Sequence, residues 1–111
     1  MNDANYDIYN SKCPTRVILE RISDKWTALV IGALADKPYR FNELRRKVDG
    51  VSQKMLTQTL RSLEKDGFVH RSVEPTVPVS VTYSLTPLGV SLNEPIKHVR
   101  EWAIKHADDI S

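Results

Sequence analysis

Two groups of residues in this 111-residue sequence have types and spacings that do chemistry. The first is the run of long polar side chains Gln53, Lys54, Thr57, Gln58 and Arg61, introduced by Ser52. A glutamine amide can pair bidentately with an adenine edge, Arg or Lys with guanine, and a threonine methyl can meet a thymine methyl. That is the equipment for reading duplex DNA. The alternative is an ordinary solubilising face on an amphipathic helix. The second is Cys13, the only cysteine, followed by Pro14. Proline suits the first turn of a helix, so the thiol stands at a helix N-terminus. There the positive end of the dipole and the flanking Lys12 and Arg16 favour thiolate, the species that attacks disulfides and electrophiles. One cysteine per chain limits the products to a sulfenic acid, an adduct, a mixed disulfide, or a bridge between two copies. The alternative is a small buried space-filler.

Other constellations are weaker. Ser62-Leu63-Glu64-Lys65 matches Ser-x-x-Lys formally, but its companion motifs are absent and both residues lie on one amphipathic stretch. His70, His98 and His106 lack the spacing of three or four residues that a helical metal pair needs. A single cysteine excludes zinc sites built on two or more from one chain. Neither catalysis, a metal nor another cofactor is expected.

The elements that must position these residues follow from periodicity. Residues 1–12 are polar and read as an N-terminal tail, loose unless docked. Val17, Ile18, Leu19 and Ile22 then form an apolar stripe behind Pro14. Ser23 or Asp24 caps a second helix in which Trp26, Leu29, Val30, Ala33 and Leu34 recur at helical spacing, ended by Asp36-Lys37-Pro38. After an extended piece at residues 39–41, a brief helix has Asn42 as its expected cap, with Leu44 and Val48 inward. Asp49-Gly50 is a turn. Ser52 caps the next helix and Gly67 stops it. At about 100° per residue, Leu60 and Leu63 fall within about 40° of Leu56, and Lys54, Gln58, Arg61 and Lys65 lie opposite. The period then drops to two, with Phe68 to Glu74 and the alternating Val79, Val81, Tyr83 and Leu85 flanking Pro75-Thr76-Val77-Pro78: a two-stranded hairpin. Thr86-Pro87 opens a last helical region with Leu92, Ile96, Val99 and Ala103 spaced four, three, four, beside Trp102. Pro95 is expected to kink that region or restart it at Asn93.

Charge strengthens the picture. The chain is nearly neutral at +2, yet residues 40–71 carry eight basic against four acidic side chains. A short helix, a turn, a longer helix and a hairpin, with cations gathered on them, is the plan of a winged helix-turn-helix. Arg45, Arg46 and Lys47 are placed to cross phosphates. Arg40, Lys25 and Thr76 at the hairpin tip are lesser candidates for contact.

Composition sets the outer bounds. With 41% hydrophobic and 27% charged residues, this is one domain's worth of chain. The longest apolar run, Ala28 to Ala35, is far below the roughly 20 residues of a membrane span. No secretory signal is read at the start, and a cytoplasmic protein without membrane contact is expected. A domain this small buries only about two thirds of its unfolded surface, which favours self-association.

Cys13-Pro14, Asp24-Lys25-Trp26, Leu29-Val30-Ile31, Arg40-Phe41-Asn42-Glu43-Leu44, Ser52-Gln53-Lys54-Met55-Leu56-Thr57, Leu63-Glu64-Lys65-Asp66-Gly67 and Tyr83-Ser84-Leu85-Thr86-Pro87-Leu88-Gly89 resemble landmarks of the HxlR-type, MarR-related transcriptional regulators. The similarity runs from about Cys13 to Trp102; Asp24 departs from it, since Gly is common there. The resemblance implies an α+β, mostly α fold in which residues 13–111 form a single winged helix-turn-helix domain with a two-stranded wing and terminal dimerisation helices. It implies a homodimer on a near-palindromic operator, built by the N- and C-terminal helices. The stripe Leu92, Ile96, Val99 and Ala103 with Trp102, together with Val17, is expected at the subunit interface, the alternative for the stripe being packing within one chain. In many such proteins the Cys before Pro senses oxidants or electrophiles such as hypochlorite, diamide, quinones or aldehydes, which makes Cys13 the expected switch. The competing expectations are a non-covalent small-molecule or protein effector with Cys13 structural, and a module that has lost DNA contact.

Overall fold

The computed structural model describes residues 6–110. Each helix boundary has a local cause. Helix α1 (Pro14–Ile22) starts with proline in its first turn and Cys13 as N-cap. Helix α2 (Lys25–Asp36) is capped by Asp24, whose carboxylate accepts from the Trp26 and Thr27 amides. The departure from Gly at that position thus supplies two otherwise unpaired N–H groups with a partner.

A two-residue strand β1 (Tyr39–Arg40) leads into α3 (Phe41–Lys47). The N-cap of α3 is Arg40 rather than Asn42, because the Glu43 side chain reaches back to accept from the Arg40 amide at 2.9 Å. Helix α4 (Gln53–Lys65) begins where the Ser52 hydroxyl accepts from the Met55 amide at 3.0 Å. It ends in a left-handed glycine: Gly67 has φ +84°, Phe68 N–H donates to Leu63 and Gly67 N–H to Glu64. That six-to-one and five-to-two pair closes the orphan carbonyls of the last turn.

Strands β2 (Val69–Glu74) and β3 (Ser80–Leu85) pair antiparallel, Val69 opposite Leu85 and Arg71 opposite Tyr83. The extended piece before α3 also joins them, Tyr39 opposite Tyr83, so the sheet has three strands in the order β1-β3-β2. Thr86 then binds the corner together, donating to the Gly67 carbonyl and accepting from the Gly89 amide. Helix α5 (Pro87–His106) is continuous through Pro95, so it does not restart at Asn93; a single-turn 3-10 helix (Ala107–Asp109) follows.

The core gathers Val30, Ile31 and Leu34 of α2, Leu44 of α3, Leu56, Leu60 and Leu63 of α4, Val69 of β2 and Leu92 of α5. Two expectations change here. Leu29 is exposed rather than inward, and Ile31 takes its place. The stripe Val17, Ile18 and Leu19 is also exposed, and α1 buries none of its residues. Of the expected tail, residues 1–5 lie outside the described residues. The segment from Asp7 to Lys12 folds into turns: Tyr9 N–H donates to the Asp7 carboxylate, and Arg16 Nη1 donates to the Tyr9 carbonyl at 3.0 Å. With α5 standing out, the chain spans 52 × 37 × 23 Å, and its radius of gyration is 15.8 Å. A compact chain of this length would have about 13 Å.

Candidate nucleic-acid interface

Burying Leu56, Leu60 and Leu63 turns the other side of α4 outward. Gln53, Lys54, Gln58, Arg61 and Lys65 are all exposed there. Thr57 is half-buried, and its hydroxyl donates to the Gln53 carbonyl at 2.8 Å. Ser52 is exposed at the N-cap, its oxygen held by the Met55 amide. Arg45, Arg46 and Lys47 occupy the last turn of α3, where cations suit the negative end of that helix. Arg40 is exposed at the start of α3.

Among the described residues, none of the eight basic side chains from Arg40 to Arg71 takes part in an ion pair. Their charge is therefore available for a polyanion. Between α4 and the sheet lies a cleft of about 320 Å³, lined by Phe41, Thr57, Leu60, Arg61, Glu64, Arg71 and Tyr83. Arg61 of α4 and Arg71 of β2 both line it.

Two candidates are tied up locally. Lys25 Nζ lies 4.7 Å over the Trp26 ring. The Thr76 hydroxyl donates to the Pro78 carbonyl at 2.7 Å, within the hairpin tip. Arg71 was counted in the basic segment but not singled out, because its position opposite Tyr83 depends on strand register. Met55, also exposed on α4, is an apolar residue off the Leu56 stripe.

Cys13 stands apart from this surface. It is 8% exposed, and its sulfur lies 2.9 Å from the Thr15 hydroxyl. That hydrogen bond is the main reason the thiol titrates below its ordinary value; burial opposes it, and backbone hydrogen bonds from Thr15, Asp7 and Arg16 add to it. The direction is the expected one but the cause is not the flanking cations. Arg16 is occupied by Glu20 at 3.5 Å and by the Tyr9 carbonyl.

Of the expected interface residues, Val17, Val99, Trp102 and Ala103 are exposed. Leu92 is not: at 8% exposure it belongs to the chain's own core, and half-buried Ile96 packs against that core. Their four-residue spacing serves α2 contacts within one chain before α5 leaves the core. Among the described residues no group of three His, Cys, Asp or Glu side chains comes together to hold a metal ion, and no helix is long and apolar enough to cross a membrane.

A short helix crossing ahead of an exposed polar helix and a hairpin is a winged helix-turn-helix, and residues 21–111 match the HxlR-like helix-turn-helix family. The chain belongs to that family. It is 43% identical over 96 residues to the HTH-type transcriptional regulator YtfH of Escherichia coli, covering 86% of this chain and 76% of the relative. The solved structure of the YtfH regulator of Salmonella typhimurium superposes with a TM-score of 0.87 at 39% identity, covering 95% and 94% of the two chains. The redox regulator HypR in its reduced form gives 0.80 at 39% identity, with 87% and 96% covered. This HxlR-like chain is thus a transcriptional regulator of the helix-turn-helix type.

Proposed function

We propose that two copies of this chain form a twofold assembly whose α4 helices enter successive major grooves of a near-palindromic duplex, with modification of Cys13 setting the fit. One observation carries the DNA reading: Gln53, Lys54, Gln58 and Arg61 are exposed on one helix face, amid basic side chains without ion-pair partners among the described residues. Gln and Arg on α4 read base edges, while Arg45 and Arg46 hold phosphates and fix register.

Self-association is supported by apolar surface that one chain leaves uncovered. Val17, Ile18 and Leu19 of α1, Leu29 of α2, and Val99, Trp102 and Ile104 of α5 are all exposed. A twofold pair covers such surface with the same patch from both copies. The thiol switch is supported by the likeness to a redox regulator and by a sulfur whose hydrogen bonds favour thiolate. Thiolate attack on an oxidised small thiol forms a mixed disulfide with Cys13 and releases one thiolate. Cys13 is only 8% exposed, so a group added to it displaces what covers the start of α1.

The test uses a duplex selected by the wild-type chain from a random-sequence pool. Its affinity is measured by fluorescence anisotropy for wild type and Cys13→Ser, with and without diamide and the small thiol that it oxidises to a disulfide, at two salt concentrations. A steep salt dependence, and a diamide response confined to wild type, are expected. Failure to select any duplex sinks the DNA reading, and equal responses sink the switch. A second reading rests on the 320 Å³ cleft, whose lining of Phe41, Tyr83, Arg61, Arg71 and Glu64 offers a non-covalent effector aromatic and charged contacts. On that reading Cys13→Ser retains the full response to an effector.

A further inference from the structure

We propose that Arg21 is a positioning residue for the DNA-reading helix: its ion pair with Asp66 ties the angle of α4 to that of α1. The proposal rests on α4 reading DNA and α1 facing a second copy.

Asp66 is the C-cap of α4, at the negative end of that helix, where an unpartnered carboxylate is disfavoured. Its side chain is only 17% exposed, and Arg21 Nη1 lies 3.0 Å from its Oδ1. Arg21 in turn occupies the last turn of α1, where a cation suits the negative end of that helix. The two residues are 45 positions apart, and no local turn brings them together.

The Arg21 side chain is itself 53% exposed, and the pair draws its weight from the poverty of α1's other attachments. The helix buries none of its residues, and Val17, Ile18 and Leu19 face outward. Only half-buried Ile22, at its end, packs against the core. Hydrophobic packing therefore fixes where α1 ends but not how it is turned about that point. The Arg21–Asp66 pair supplies the second point of attachment, and it grips α4 at Asp66, next to the Gly67 reversal that anchors β2. Cys13 sits at the opposite end of the nine-residue α1. A displacement at the thiol is thus delivered by a rigid rod to the end of the reading helix.

The test compares Arg21→Ala, Asp66→Asn and the exchanged pair Arg21→Asp with Asp66→Arg. Binding is measured on the selected duplex and on a single half-site cut from it. Each single variant is expected to lose about five-fold on the full site, the low end of coupling between distant sites, with half-site affinity retained. The exchanged pair recovers most of that loss. A second readout needs no DNA: the distance between spin labels at Ser62→Cys of the two copies, in a Cys13→Ser background, is expected to broaden in Arg21→Ala and narrow again in the exchanged pair. A contact that merely adds stability lowers the melting temperature and leaves the full-site to half-site ratio and the label distance unchanged; that result overturns the proposal. A wild type that gives no intersubunit distance overturns the twofold reading and this inference together. A wild type that pairs and binds, with variants that match it, overturns this inference alone.

Discussion

Cys13 and Arg61 depend on their neighbours in different ways. The thiol owes its lowered titration first to the Thr15 hydroxyl 2.9 Å away. Because the native chain holds the thiolate more readily than an unfolded one, this group adds stability above the ordinary thiol range and loses it as pH falls through the lowered value. Thr15→Val removes the hydroxyl at nearly constant volume. The pH profile of iodoacetamide labelling at Cys13 is then expected to move to higher pH, read by mass spectrometry against wild type. An unchanged profile would assign the shift to the helix end instead. Arg61 is free of ion pairs among the described residues and faces the cleft. Arg61→Ala should cost about 1–3 kcal/mol on the preferred base and relax selection there, whereas Arg46→Ala should weaken all sequences alike and lower the salt slope by about one. Competition binding against single-base variants of the selected duplex separates the two. The reading residues were legible from sequence because α4 is amphipathic and burying leucines exposes what lies opposite. Thr15 was not, because a contact through one rotamer leaves no periodic trace.

Caps and stops are where local sequence and local structure agree most closely. Ser52, Asp24 and Gly67 act where their types foretell, since each satisfies backbone groups within four residues of itself. Gly67→Ala forces a Cβ onto a backbone with φ +84° and is expected to cost about 1–2 kcal/mol in a urea titration. The reading helix and β2 diverge at that residue, so operator affinity should fall with stability. Asn42 is not the cap because two cap chemistries compete two residues apart: a side-chain cap at Asn42, and the backward reach of Glu43 to Arg40. Tertiary contact decided for the second, since β1 must pair with β3 immediately before α3 begins.

Across the whole chain, α5 divides into a half that completes the core and a half that leaves it. Leu92→Ala opens a cavity in the core that α5 shares with α2 and is expected to cost about 2–5 kcal/mol of unfolding free energy. Trp102→Asp, on the exposed stretch, should leave the melting profile of one chain intact and shift sedimentation from two copies towards one. The opposite outcome, with Trp102→Asp unfolding the chain, would place that surface in the fold and not in an interface. Helix order, the amphipathic α4 and the basic segment around it are written in periods and counts that any local window detects. The side of α1 that packs, the residue of α2 that turns outward, the pairing of Tyr39 with Tyr83 and the meeting of Arg21 with Asp66 are written nowhere locally. They arise because one buried volume must accept side chains from elements far apart in the chain, and what that volume refuses, Leu29 and Val17 among them, is left to face outward.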